Sequence, residues 1–156
     1  MGNKAIRIAI FALVILVIFF NIFSYYGASI MLPGRELREI SGVEPQTGRT
    51  ARIDLSKGTV ILNIWATWCG ACLAEMPELN KIAEKYRVYG AIKPVFKYEV
   101  YCDVAPKFKS VIAPDEFFED LYISVLPTTL VIKDGVIKKV HTGTLTADFV
   151  QDLVKD

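Results

Sequence analysis

One histidine and three cysteines are all the imidazole and thiolate ligands the sequence offers a metal, and its charges nearly cancel, 18 basic against 17 acidic side chains in 156 residues. So even a balance supplies no basic face for nucleic acid. A zinc centre wants about four ligands, and beyond Cys69 and Cys72 only Cys102 and His141 remain to complete one. No cysteine precedes Cys69, which excludes a lipid-modified cysteine as an N-terminal anchor. Internal repeats and low-complexity tracts are missing as well, so solenoids and arrays are excluded.

What the chain has in excess is apolar residues, 53% of the total. Ile8 to Phe20 is an unbroken apolar run, and from Ala5 to Phe23 only Arg7 and Asn21 interrupt it. A helix of about 20 such residues spans a bilayer. Around the end of the run only Gly27-Ala28-Ser29 offers small residues in the frame a signal peptidase needs. The expectation is an uncleaved signal-anchor over residues 1–26, with Tyr25 and Tyr26 at the lipid interface. Lys4 and Arg7 stand before the span, which predicts a cytoplasmic N-terminus and a domain on the extracytoplasmic face of the cytoplasmic membrane. Disulfides persist there.

Residues 27–47, broken by Pro33-Gly34, Ser41-Gly42 and Pro45, read as a linker, and the domain is expected over 48–156. Within it Thr50 to Leu55 alternates as a short strand, and Val60 to Trp65 is a β-branched apolar run suited to a strand buried on both faces. Leu73, Met76, Leu79, Ile82, Ala83 and Tyr86 recur at helical spacing, so a helix is expected over Leu73 to Arg87, bent at Pro77. A second strand is expected over Pro94 to Tyr101, followed by short helices led by Asp103 and by Pro114-Asp115-Glu116. Thr128 to Lys133, the Asp134-Gly135 turn and Val136 to Thr142 form a hairpin pattern, and Thr146 is a cap for a final helix. This order predicts an α/β domain, a mixed sheet with helices on both faces.

The chemistry centres on Cys69-Gly70-Ala71-Cys72 at the junction of the buried strand and the helix. The C-x-x-C spacing lets two thiols close a disulfide. A cysteine at a helix N-terminus faces unpaired N–H groups that favour its thiolate. Cys69 is therefore the candidate nucleophile and Cys72 the resolving thiol; a static disulfide and half of a zinc site are the alternatives. Leu126-Pro127-Thr128 enters the first strand of the hairpin, where Pro127 suits either a cis peptide bordering a client groove or an ordinary strand-initiating trans proline. Trp68 is a candidate to shield Cys69 or touch substrate, Cys102 is expected to be a small buried hydrophobe ending a strand, and His141 an edge residue. Tyr86, Tyr89, Tyr98 and Tyr101 read as packing.

Trp65-Ala66-Thr67-Trp68-Cys69-Gly70-Ala71-Cys72, with Pro77 behind it and Leu126-Pro127-Thr128-Thr129 downstream, resembles the thioredoxin superfamily, and more narrowly the membrane-tethered TlpA/ResA/CcmG-like thiol-disulfide oxidoreductases. The likeness covers about Gly48 to Lys155. It implies a thioredoxin fold, a cis Pro127, and reduction of protein disulfides outside the cytoplasm, often in cytochrome c maturation with apocytochrome c as a client. It also implies a membrane electron donor fed from cytoplasmic thioredoxin, and no cofactor beyond the Cys69–Cys72 disulfide. Ordinary thioredoxins carry an aspartate where this chain has Asn63, which cannot take a proton. Glu75, three residues after Cys72, matches the glutamate that ResA-like proteins place beside their cysteines, so the resemblance makes it the proton carrier in place of a solvated surface group. The competing functions are a disulfide oxidase or isomerase, and a client-binding module in which the cysteines are incidental. Peroxiredoxin chemistry is disfavoured because Ala66 stands where a threonine would be needed.

Overall fold

The computed structural model describes residues 2–155; the side chains of Tyr25 and Tyr26, expected at the lipid interface, lie outside the described residues. Helix α1 (Gly2–Met31) contains a stretch, Lys4–Ser24, long and apolar enough to cross a membrane, and none of that stretch is buried in the protein. The sequence explains both facts, since Ile, Leu, Val and Phe occupy every side of the helix and no charged stripe marks a solvent face.

The domain is one seven-stranded mixed sheet. Its strands are β1 (Glu39–Val43), β2 (Thr50–Asp54), β3 (Thr59–Trp65), β4 (Val88–Ile92), β5 (Ser110–Ile112), β6 (Thr128–Lys133) and β7 (Val136–Thr142), in the order β2-β1-β5-β4-β3-β6-β7. The helices are α2 (Gly70–Ile82), α3 (Tyr98–Val104), α4 (Asp115–Asp120) and α5 (Ala147–Val154). Central β3 runs parallel to β4 and antiparallel to β6. Its alternation sorts the core: Val60, Leu62 and Ile64 pack on one face with Phe118 of α4 and Leu121, which caps that helix, while Ile61 and Trp65 pack on the other with Met76 and Leu79 of α2, Tyr101 of α3 and Val150 of α5. This is the expected thioredoxin-fold α/β arrangement, with a helix layer on each side of the sheet.

Four local expectations change. The segment 27–47 is no tether: α1 runs to Met31, Ala28 and Leu32 are buried in the first core, and β1 pairs with β2 over five residue pairs, from Glu39↔Asp54 to Val43↔Thr50. Ser41-Gly42 lies inside that strand because Gly42 lets the backbone of Ile112 come close; a Cβ there would run into Ile112 O. The second central strand is Val88–Ile92; of the stretch read as a strand, Pro94 to Lys97 is a loop and Tyr98 to Tyr101 open α3, whose last turn holds Asp103, the residue expected to lead a helix. Aromatic and β-branched residues give that stretch a strand-like composition, yet Tyr98 and Tyr101 sit three apart on a helix, with Tyr101 buried and stacked on Trp65. Cys102, next along that helix, is exposed instead of buried. Finally, α2 stops at Ile82, and hydrogen-bonded turns such as Tyr86 N–H to Ile82 O carry the chain on to Tyr86.

Candidate active site

Strand β3 ends at Trp65, and residues 66–69 turn sharply into α2, with Cys69 N–H donating to Ala66 O at 3.1 Å. Cys69 is the N-cap of α2, in extended backbone conformation, and its sulfur accepts from Cys72 N–H at 3.2 Å. Caps are normally Ser, Thr, Asp or Asn, whose oxygens satisfy the free N–H groups of the first turn. Here sulfur takes that place, where the helix macrodipole favours negative charge. The two cysteines are joined as a disulfide with their Cα atoms 5.3 Å apart. Cys72 is fully buried and Cys69 only partly so, hence attack from outside meets Cys69.

Trp68 precedes the pair and is 51% exposed, its indole N–H reaching Pro94 O at 3.3 Å. Buried Thr67 accepts from Lys97 N–H at 2.9 Å, so the 94–97 loop is pinned against the turn that carries the cysteines. On the other side, Thr128 pairs with Ile64 near the end of β3, which brings the start of β6 to the same end of the sheet as Cys69. The Leu126–Pro127 bond is cis, Pro127 is buried, and its carbonyl accepts from Gly143 N–H at 2.9 Å. Leu126 is half-buried and packs against both cores. Thr128 is turned inward: it is buried, and its hydroxyl donates to Val125 O at 2.7 Å.

Glu75 lies one turn beyond Cys72 on the buried face of α2 and is only 3% exposed. Asn63 Nδ2 donates to its Oε1 at 3.0 Å, and Leu145 N–H donates to its Oε2 at 2.9 Å. Burial disfavours the charged carboxylate and raises its pKa above the ordinary glutamate value, against the lowering effect of the Leu145 and Asn63 hydrogen bonds. Asn63 Nδ2 also donates to Thr129 Oγ1 at 3.1 Å. Sequence reasoning singled out Asn63 and Glu75 separately and missed Thr129 and the Leu145 amide. The signal for Thr129 was available, since it is the β6 residue directly opposite Asn63 in the register and shares its face of the sheet. Nothing local in the sequence marks Leu145.

Cys102 lies on α3 outside this cluster, and among the described residues no group of three or more His, Cys, Asp or Glu stands together as a metal site would require. His141, on β7, contacts Thr144 O at 3.3 Å and packs its ring against Phe149.

A redox-capable cysteine pair capping the helix after the central strand, with a cis proline at the same end of the sheet, defines a thioredoxin-fold dithiol protein. The family model for thioredoxin matches residues 49–156, and the chain belongs to that family. It is 32% identical over 115 residues to the thiol-disulfide oxidoreductase ResA of Geobacillus thermodenitrificans, covering 67% of this chain and 66% of the relative. To the ResA of Halalkalibacterium halodurans it is 33% identical over 130 residues, covering 77% and 65%. The chain thus spans just under two thirds of the length of these relatives. A secreted thiol-disulfide isomerase from Corynebacterium glutamicum has a similar structure, with a TM-score of 0.65 at 25% identity over 76% of this chain and 82% of that one.

Proposed function

We propose that this chain is a membrane-anchored thiol-disulfide oxidoreductase whose domain works on the extracytoplasmic face, reducing disulfides in protein clients. The observation that carries the reading is the asymmetry of the pair: Cys69 caps α2 and is reachable, while Cys72 is wholly buried behind it. The names of the relatives, thiol-disulfide oxidoreductases, support it.

In the reduced protein the Cys69 thiolate attacks one sulfur of a client disulfide, forming a mixed disulfide and releasing the client's first thiolate. Cys72 then loses its proton and attacks Cys69 Sγ; the client's second thiolate leaves, and the Cys69–Cys72 disulfide closes. Two electrons have passed to the client. A membrane dithiol donor, fed from cytoplasmic thioredoxin, restores the reduced pair by the same exchange run from its own thiols. Glu75, buried one turn from Cys72 and reluctant to ionise, takes the role of moving that proton. What surrounds the thiolate supports the reductive direction. Gly70 and Ala71 bring no charge to it, and a dithiol becomes a strong oxidant only when its thiolate is strongly stabilised. Apocytochrome c, a protein with paired cysteines outside the cytoplasm, is the client class we favour.

The reduction potential of the pair tests the direction. We expect a value near that of thioredoxin, about −270 mV, whereas one near the strong oxidant DsbA, about −120 mV, would reverse the assignment. A Cys72→Ser variant in the source cell tests the chemistry and names the client: Cys69 should accumulate as a mixed disulfide that mass spectrometry resolves. Failure to trap any protein, with Cys69 alkylatable, would favour the non-catalytic binding module.

A further inference from the structure

A cleft of about 310 Å³ lies between α1 and the segment that follows α4. One wall is Phe20, Phe23 and Ser24, the last residues of the membrane-crossing stretch; the other is Tyr122 and Ile123. Phe118 also lines it, and the Lys93 ammonium stands 5.2 Å from the centre of that ring. Glu119 is the acidic residue of the lining. The two walls are fastened to each other: Ser124 Oγ donates to Ser24 O at 2.6 Å, Arg35 Nη1 donates to Asp120 O, and Ala28 and Leu32 are buried in the core. Helix α1 therefore enters the domain as part of its packing, and the cleft lies at the C-terminal end of the stretch long and apolar enough to cross a membrane.

We propose that this cleft is a phospholipid site, taking one outer-leaflet lipid with its phosphate at Lys93 and the glycerol end of its acyl chains against Phe20, Phe23 and Tyr122. The inference rests on the reading that α1 spans the membrane. If it does, Phe20 and Phe23 have acyl chains beside them by position alone, and the apolar cleft they wall is continuous with the hydrocarbon. A half-exposed tyrosine opposite suits the interface, where an aromatic ring sits in the acyl region and its hydroxyl in water. Lys93, in the lining of the same cleft, supplies the charge a phosphate needs. The consequence for the proposed chemistry is positional. Lys93 N–H bonds Trp65 O at the end of β3, and neighbouring Pro94 O accepts from Trp68, so the lipid site and the disulfide share one end of the sheet. A lipid seated there holds the Cys69 end of the domain beside the bilayer, within reach of dithiols on a membrane protein.

The test uses the full chain in vesicles of phosphatidylglycerol and phosphatidylethanolamine, with p-benzoylphenylalanine replacing Tyr122 in one preparation and Phe11, exposed in the middle of the span, in another. Ultraviolet irradiation followed by mass spectrometry should find phospholipid adducts at both positions. Lys93→Gln should lower the adduct yield at Tyr122 about fivefold, the effect of one lysine near an anionic surface, and leave the yield at Phe11 unchanged. Adducts at Phe11 without any at Tyr122 would overturn the lipid site and leave the anchor standing. No adduct at either would overturn the anchor and the site together, and an unchanged yield at Tyr122 in Lys93→Gln would remove the phosphate contact.

Discussion

Asn63 Nδ2 and Glu75 Oε1 lie 3.0 Å apart in the buried layer between β3 and α2, and the amide is the only side chain that donates to this carboxylate among the described residues. Its other end is free to change role, since Asn63 Oδ1 has no partner among the described residues. With Glu75 ionised, Nδ2 donates to it. With Glu75 protonated, a rotated amide would present Oδ1 to accept the new O–H, so Asn63 can serve both protonation states of this carboxyl. An aspartate at the same position could hold a proton itself, which the amide cannot.

The first prediction concerns stability against pH. Burial raises the pKa of Glu75 in the folded chain above its unfolded value, so its contribution is fully present below the unfolded pKa and is lost as pH rises through the folded one. Glu75→Gln removes that loss. Urea unfolding of the oxidised protein from pH 4 to 8 should therefore show wild type losing stability relative to Glu75→Gln as pH rises, with the two curves converging at the acid end. Parallel curves would mean that the carboxyl does not titrate in this range.

A second prediction follows from replacing the amide. Asn63→Asp places a second carboxyl against Glu75 at hydrogen-bonding distance, and two carboxylates sharing a site cannot both ionise at their ordinary pKa. The pair then titrates as a unit, with one proton held to higher pH. Disulfide-exchange rates measured against pH should show their carboxylate-dependent limb displaced to higher pH in Asn63→Asp. Glu75→Gln should abolish that limb and slow the release step by about a hundredfold, the usual scale of a lost proton carrier. A profile identical to wild type in both variants would remove Glu75 from the proton path.

Where the sequence carries its own stop signals, fold and site were legible. Asp134 and Gly135 both take positive φ, 51° and 78°, as a tight two-residue hairpin turn demands, and Asp-Gly announces that turn in the sequence. Thr146 caps α5 by accepting from Phe149 N–H, again a local rule. The cysteine pair and its place at a strand-to-helix junction were equally local. What was hidden depends on contacts distant in sequence. Gly42 reads as a turn until Ile112 is seen against it, and Val88–Ile92 is a short strand whose Gly90 is required because a Cβ there would meet Ser110 Oγ and lie 2.9 Å from Trp65 Nε1. Leu145 reaches Glu75 across 70 residues through a backbone amide, a contact that no side-chain identity encodes.

The close approach at Gly42 gives a third prediction. An added methyl would meet the Ile112 carbonyl oxygen and lie 3.0 Å from its carbonyl carbon, and backbone cannot swing aside as a flexible side chain would. Gly42→Ala should destabilise the protein by about 2 kcal/mol, in the range of overpacking in close-packed interiors. The check is the urea midpoint in detergent, together with hydrogen exchange. The amides of β1 and β2 should lose protection first, while those of β3 and β6 stay protected. Uniform loss would mean that the β1–β2 hairpin unfolds only with the whole domain.

Whether helix α1 is part of the folded unit can be tested at its C-terminal end. Leu32 follows α1 directly, is fully buried, and shares a core with Ile40, Leu55, Ile132 and Ile137 from four other parts of the chain. A leucine in such a place costs about 3 kcal/mol when cut to alanine, partly lost transfer energy and partly the cavity left behind. A leucine in a flexible tether would cost almost nothing, because exposed substitutions away from such features stay within about 0.5 kcal/mol. Leu32→Ala and the exposed neighbour control Met31→Ala therefore separate the two descriptions by urea unfolding alone. A large loss confined to Leu32→Ala places the junction between helix and domain inside the hydrophobic core, where it fixes the height of the cysteines relative to the helix that carries them.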